Sequence, residues 1–227
     1  DNINLEESIS VTKDITINLN GKELVCNSSD VFVVTAGTLT INGTGLIYGS
    51  KDNSSSACAV WVKENGKAIL NGGTYKVGHD GDAKAEGSDN WRNDCIYVRD
   101  NGQITINGGE FEYTGSVDEN NYQSNGHIFL LNCRDQDYKA GKCAITVKGG
   151  TFHKFNPAET SSENPVANYL PVGYSSVAKE NDVYAVSAGI KNQQALQAAV
   201  SAGGEVTLTD NINLEESISV TKDITIN

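Results

Sequence analysis

A chain of 227 residues, 38% of them hydrophobic, can bury a sizeable core as one large domain or two small ones. Its 29 acidic and 17 basic residues give a formal charge of −12, which argues against nucleic acid and anionic membrane as partners. No signal peptide and no apolar run of membrane length is present, so membrane insertion is not expected. With no Met, the chain reads as a mature form or a piece of a longer one, and its acidity fits an extracellular, cell-surface or virion setting.

The first element is a segment the chain uses twice. DNINLEESISVTKDITIN at Asp1–Asn18 recurs without a change at Asp210–Asn227. Each copy carries four acids (Asp1, Glu6, Glu7 and Asp14 in the first) against one Lys, Lys13. Such identity points to a circular permutant or to a slice of an exact tandem array. One slot lies below Leu19, and two copies compete for it.

Next come four related stretches, VFVVTAGTLTINGTG from Val31, VWVKENGKAILNGGTY from Val60, IYVRDNGQITINGGEF from Ile96 and AITVKGGTF from Ala144. Each gives a short alternating strand, a turn, a second alternating strand, and then a third after a Gly-rich turn. A period of two means half-buried strands. Alignment sets Val31, Val60, Ile96 and Ile128 in one inward column, with Val33, Val62, Val98 and Leu130 in the next. The second strands add Leu39, Ala68, Ile104 and Ile145, then Ile41, Leu70, Ile106 and Val147. Asn42, Asn71 and Asn107 recur at one turn, where stacked amides would form a ladder. Tyr75, Phe111 and Phe152 make an aromatic column. No such unit buries its apolar face alone, so the units are expected to stack.

The loops between units differ in length. Gly78–Asp94 brings Trp91 and the acids Asp80, Asp82 and Glu86, a weak suggestion of a cation site that lacks EF-hand spacing; a solvated acidic loop is the favoured reading. No cofactor is expected. The five cysteines contain no CxxC, which argues against zinc. Cys133 and Cys143 flank the polar excursion RDQDYKAGK and are the disulfide candidates.

The one helical stretch is NQQALQAAVSAGG, with Asn192 as N-cap and Gly203 as its stop, so a short amphipathic capping helix is expected over 192–202. The chain then divides into a body over 1–186, a joint at 187–189, and a unit over 190–227 holding the cap helix, a strand and the second copy.

The TINGG and ILNGG turns, with the alternating strands around them, resemble the pectate-lyase-like right-handed parallel β-helix superfamily. Within it the chain looks most like noncatalytic modules of phage fibres and gut-bacterial surface proteins. That resemblance implies an all-β solenoid of about five to six turns, with ligands held on the outward face of the first strand. Alternation there predicts a row of Phe32, Trp61, Tyr97 and Phe129, flanked by Trp91, as a polysaccharide platform. The alternative is a lyase or hydrolase acting on acidic glycans, with Arg99, Lys63 and His127 supplying cations and a base. The main expectation is a structural or adhesive protein whose principal partner is itself, associating head-to-tail through the duplicated ends; removing Asp210–Asn227 is then expected to weaken association.

Overall fold

A computed structural model describes residues 1–49, 57–78, 94–114, 130–159 and 168–227. Within them the protein is all-β, built from parallel sheets with two short α-helices.

Three stacks of parallel strands form the body, and each strand pairs with its counterpart one repeat along the chain. The first stack runs β2 (Ile9–Val11), β5 (Phe32–Val34), β8 (Val60–Val62), β10 (Ile96–Val98) and β12 (Leu131–Cys133). The second runs β3 (Ile15–Asn18), β6 (Thr38–Asn42), the front of β9 (Lys67–Gly78), the front of β11 (Gln103–Thr114) and β13 (Ala144–Val147). The third runs β1 (Ile3–Leu5), β4 (Lys22–Cys26), β7 (Gly45–Gly49), the back halves of β9 and β11, and β14 (Gly150–His153). Inward residues of the three stacks meet in one apolar core.

The two middle repeats pair as the sequence aligns them, with Val60 opposite Ile96 and Val62 opposite Val98. The second-strand columns also hold: Leu39, Ala68, Ile104 and Ile145 lie in register, as do Ile41, Leu70, Ile106 and Val147. Tyr75, Phe111 and Phe152 stack face to face, with ring centroids 4.8 and 4.9 Å apart.

The asparagine ladder is longer than the sequence suggests, since Asn18 joins it. Asn42 donates to Asn18 at 3.1 Å, Asn71 to Asn42 at 2.8 Å, and Asn107 to Asn71 at 2.8 Å. The NGG pattern follows from this close stacking. A Cβ on Gly149 would lie 2.3 Å from the Asn107 carbonyl oxygen, and one on Gly72 would lie 2.7 Å from that of Gly43. The second glycine of each pair, Gly73, Gly109 or Gly150, has a φ of 90° to 118°, which a side chain strains.

Two registers differ from expectation. Phe32, not Val31, pairs with Val60, so Phe32 points inward and is fully buried while Val33 takes the outward place. A one-residue slip exchanges the two faces of a strand. At the far end, Leu131 and Cys133 lie opposite Ile96 and Val98, where the sequence suggests Ile128 and Leu130.

The parallel order ends after β14. There β16 (Val183–Ala188) pairs antiparallel with it, and β15 (Tyr174–Ala178) pairs antiparallel with β16. A second, smaller core follows. Helix α2 (Gln193–Ala202) is capped by Asn192, whose side chain accepts from the Ala195 amide at 2.9 Å. The helix covers β17 (Gly204–Val206), which pairs in parallel with β18 (Ile224–Ile226) of the second copy. Asn192 Nδ2 and Gln194 Nε2 donate to the Ser176 and Ala158 carbonyls, at 2.8 and 3.1 Å, and tie this unit to the last strands of the body.

Both copies of the repeated segment therefore pack against the rest of the chain. The first pairs through β1, β2 and β3 with the body; the second lies on the cap unit. Among the described residues no helix is long and apolar enough to cross a membrane.

Candidate functional site: an aromatic and basic face

The outward residues of the first stack are Ser10, Val33, Trp61, Tyr97 and Asn132, one per strand. The expected row of four rings loses Phe32. Phe32 lies inside, and Asn132 holds the position the alignment gave to Phe129. Trp61 is half-buried and Tyr97 is only 9% exposed, with ring centroids 6.2 Å apart and tilted by 32°. Phe129, Trp91 and His127 lie outside the described residues, as do Asp80, Asp82 and Glu86.

Each strand of this stack is followed by a polar residue, and three of these are cations: Lys63 after Val62, Arg99 after Val98, and Arg134 after Cys133. Their amides continue the ladder, donating to Val34, Val62 and Val98 at 2.9, 3.0 and 2.9 Å. The result is a basic column beside the aromatic pair. Lys63 Nζ stands 4.2 Å from the Trp61 ring centroid, and Arg99 Cζ stands 4.8 Å from it. Both distances fit cation–π contact. Among the described residues, the buried Trp61 indole N–H has no partner.

Arg134 was missed in the sequence, although its place one residue past Cys133 matches that of Arg99 past Val98. It anchors α1 (Asp135–Lys139), the helix inside the polar excursion. Arg134 Nε donates to Asp137 Oδ2 at 2.6 Å, Arg134 also pairs with Asp100, and the Asp100 amide donates to Asp137 at 2.9 Å. Arg99 Nε lies 3.1 Å from Asp100 Oδ2. The guanidinium hydrogen bond holds the Asp137 carboxyl below the usual carboxylate range and raises Arg134 in turn. A lowered acid contributes stability that is present above its unfolded value of about 4 and is lost as pH falls through the folded value. Asp137→Asn should therefore flatten the acid limb of the stability profile. It should also cost about 2 kcal/mol at neutral pH, within the range for hydrogen bonds to charged groups, as read by urea titration.

Cys133 and Cys143 are free, buried thiols whose side chains interact. That contact raises Cys133 well above a normal thiol and lowers Cys143. Cys58 and Cys95 are pushed up chiefly by burial, which makes them inert packing residues. On the third stack, Glu110, Glu112 and His153 bring ligand atoms within 4.8 Å of one another. His153 Nε2 lies 2.7 Å from Glu110 Oε1, and Lys76 pairs with Glu112, so these acids already have protein partners.

The arrangement of Trp61, Tyr97, Lys63, Arg99 and Arg134 suits a ligand with an anionic group and an apolar face. No family model matches the chain, and no match to it was found among the curated proteins or the solved structures.

Proposed function

We propose that the protein is a structural module, a right-handed parallel β-helix that associates end to end and offers its aromatic and basic face to an acidic polysaccharide. Stacks in which every strand pairs with its counterpart one repeat on, with an asparagine ladder at the turn, support the β-helix reading.

One observation carries the self-association. Among the described residues, the exposed large hydrophobic ones are Ile3, Ile15, Val172, Leu214, Val220 and Ile226, and all but Val172 lie in the two copies of the repeated segment. Unpaired strand edges with apolar side chains recruit further strands. Sedimentation of the full chain over a concentration series tests this reading; a strict monomer at every concentration overturns it.

The Trp61 face supports the ligand. Lys63 and Arg99 lie over the indole, so the face offers cations that a uronate, and not a neutral sugar, would use. Trp61→Ala is expected to reduce binding of polyuronate oligosaccharides at least tenfold by calorimetry, while leaving the circular dichroism spectrum unchanged. Release of unsaturated products from pectin or alginate, abolished by Arg99→Ala, would instead support the lyase alternative.

A further inference from the structure

The two copies of the eighteen-residue segment have the same sequence and opposite surroundings. In the first copy, Leu5, Ile9, Val11 and Ile17 pack against the body while Ile3 and Ile15 are exposed, at 51% and 45%. In the second copy, the equivalents of Ile3, Ile9 and Ile15, namely Ile212, Ile218 and Ile224, pack against the cap unit. There the equivalents of Leu5, Val11 and Ile17 are the exposed ones: Leu214, Val220 and Ile226, at 53%, 57% and 49%. The segment is thus an interior layer with two apolar sides, and each copy covers only one.

The backbone shows the same complementarity. The first copy bonds the body through Ile9 and Val11, which turns the Ser10 amide and carbonyl to its outer edge. At the matching residue of the second copy, the Gln197 side chain accepts from the Ser219 amide at 2.9 Å and donates to its carbonyl at 3.0 Å. Gln193 likewise accepts from the Glu215 amide at 2.6 Å, and Asn227 donates to Glu205.

Resting on the end-to-end reading above, we infer that the contact is a strand exchange between two copies of this chain. Residues 190–209 of one chain release their own Asp210–Asn227 and take up Asp1–Asn18 of the next. The register is already visible within the single chain: Gly204, Glu205 and Val206 pair with Ile224, Thr225 and Ile226, so in the exchanged pair they meet Ile15, Thr16 and Ile17. One copy is then covered on both sides. Asn18 gains Glu205 as acceptor while still accepting from Asn42, so the ladder gains one further link, to a carboxylate, across the junction.

The rival geometry stacks the second copy of one chain directly on the first copy of the next. In register, that sets Asp210, Glu215, Glu216 and Asp223 over Asp1, Glu6, Glu7 and Asp14. Neighbouring strands lie about 4.8 Å apart, and like charges directly opposite destabilise a strand pair. Exchange avoids this, remakes contacts the chain already has, and frees one eighteen-residue segment from order. It also reverses the expectation drawn from sequence. The second copy is a competitor, so removing it strengthens association.

The test compares the full chain with a chain of residues 1–209 by sedimentation velocity, with circular dichroism as the check on folding. Exchange requires the 1–209 chain to form end-to-end oligomers at a concentration at least tenfold lower than the full chain. A synthetic Asp1–Asn18 peptide should disperse them. If 1–209 does not fold, the chain of residues 19–227 makes the same junction from the other side, with its single copy docking on a neighbour's β4–β6, and must oligomerise likewise. Association of the full chain that is lost in 1–209 and strengthened by salt would leave end-to-end assembly standing and overturn exchange in favour of stacking. A full chain and truncated chains that are all folded and monomeric would overturn both.

Discussion

Replacing Phe111 by Ala is expected to cost about 3–5 kcal/mol, the scale for emptying an aromatic core site. Phe111 is fully buried and is the middle ring of three, with Tyr75 on one side and Phe152 on the other. Truncation removes two stacking contacts at once and leaves a void between rings that are fixed by parallel strand pairing on both sides. Tyr75 is further held by its hydroxyl, which donates to the Gly72 carbonyl at 2.8 Å, so it cannot easily move into the space. Phe111→Leu, which keeps most of the volume, should cost less than half as much. Urea unfolding of the two variants checks the ratio. A loss below about 1 kcal/mol for the Ala variant, the level of an ordinary surface change, would contradict this core.

Mild oxidation is expected to join Cys133 to Cys143 and to add about 2–3 kcal/mol of stability, the scale for closing a loop of roughly ten residues. The two thiols already interact, and Cys143, whose ionisation that contact favours, is the thiolate that attacks an added oxidant such as oxidised glutathione; Cys133 then gives up its proton and displaces reduced glutathione to close the bridge. The bridge would close the neck of the excursion that carries α1 and the Arg134–Asp137 pair. Mass spectrometry should show loss of two hydrogens and a peptide linking the two cysteines. The unfolding midpoint of the oxidised protein should fall back on adding dithiothreitol, and Cys143→Ser should abolish the difference. Equal midpoints for the oxidised and reduced forms would refute the prediction.

The middle of the chain was readable from sequence because Val60–Tyr75 and Ile96–Phe111 align without a gap and each alternates cleanly. Asn71 over Asn107 and Tyr75 over Phe111 follow from that alignment alone. The ends of the first stack were not readable in the same way. VFVV and IFLL are continuous apolar runs, and a period of two cannot set its own phase within such a run. What fixes the phase is the polar residue that leaves each strand: Thr35, Lys63, Arg99 and Arg134 fall in line, and aligning on them places Phe32 inside and Asn132 outside. The same residues include the whole basic column. The Asp100–Arg134–Asp137 cluster was hidden for another reason, since it joins residues 34 apart across neighbouring repeats and depends on a five-residue helix that the excursion's composition does not announce.

The amide ladder has a direction. Asn107, Asn71 and Asn42 each donate toward the repeat nearer the first copy, so every link points the same way. Hydrogen bonds aligned in series polarise one another. Any filament that continues this row is a polar object, like a line of magnets laid head to tail. Its two tips differ chemically: one presents the amide nitrogen of Asn18 beside Ile3 and Ile15, and the other presents Leu214, Val220 and Ile226. Growth at the two tips would then proceed at different rates, and a ligand that blocks one tip would leave the other free to elongate.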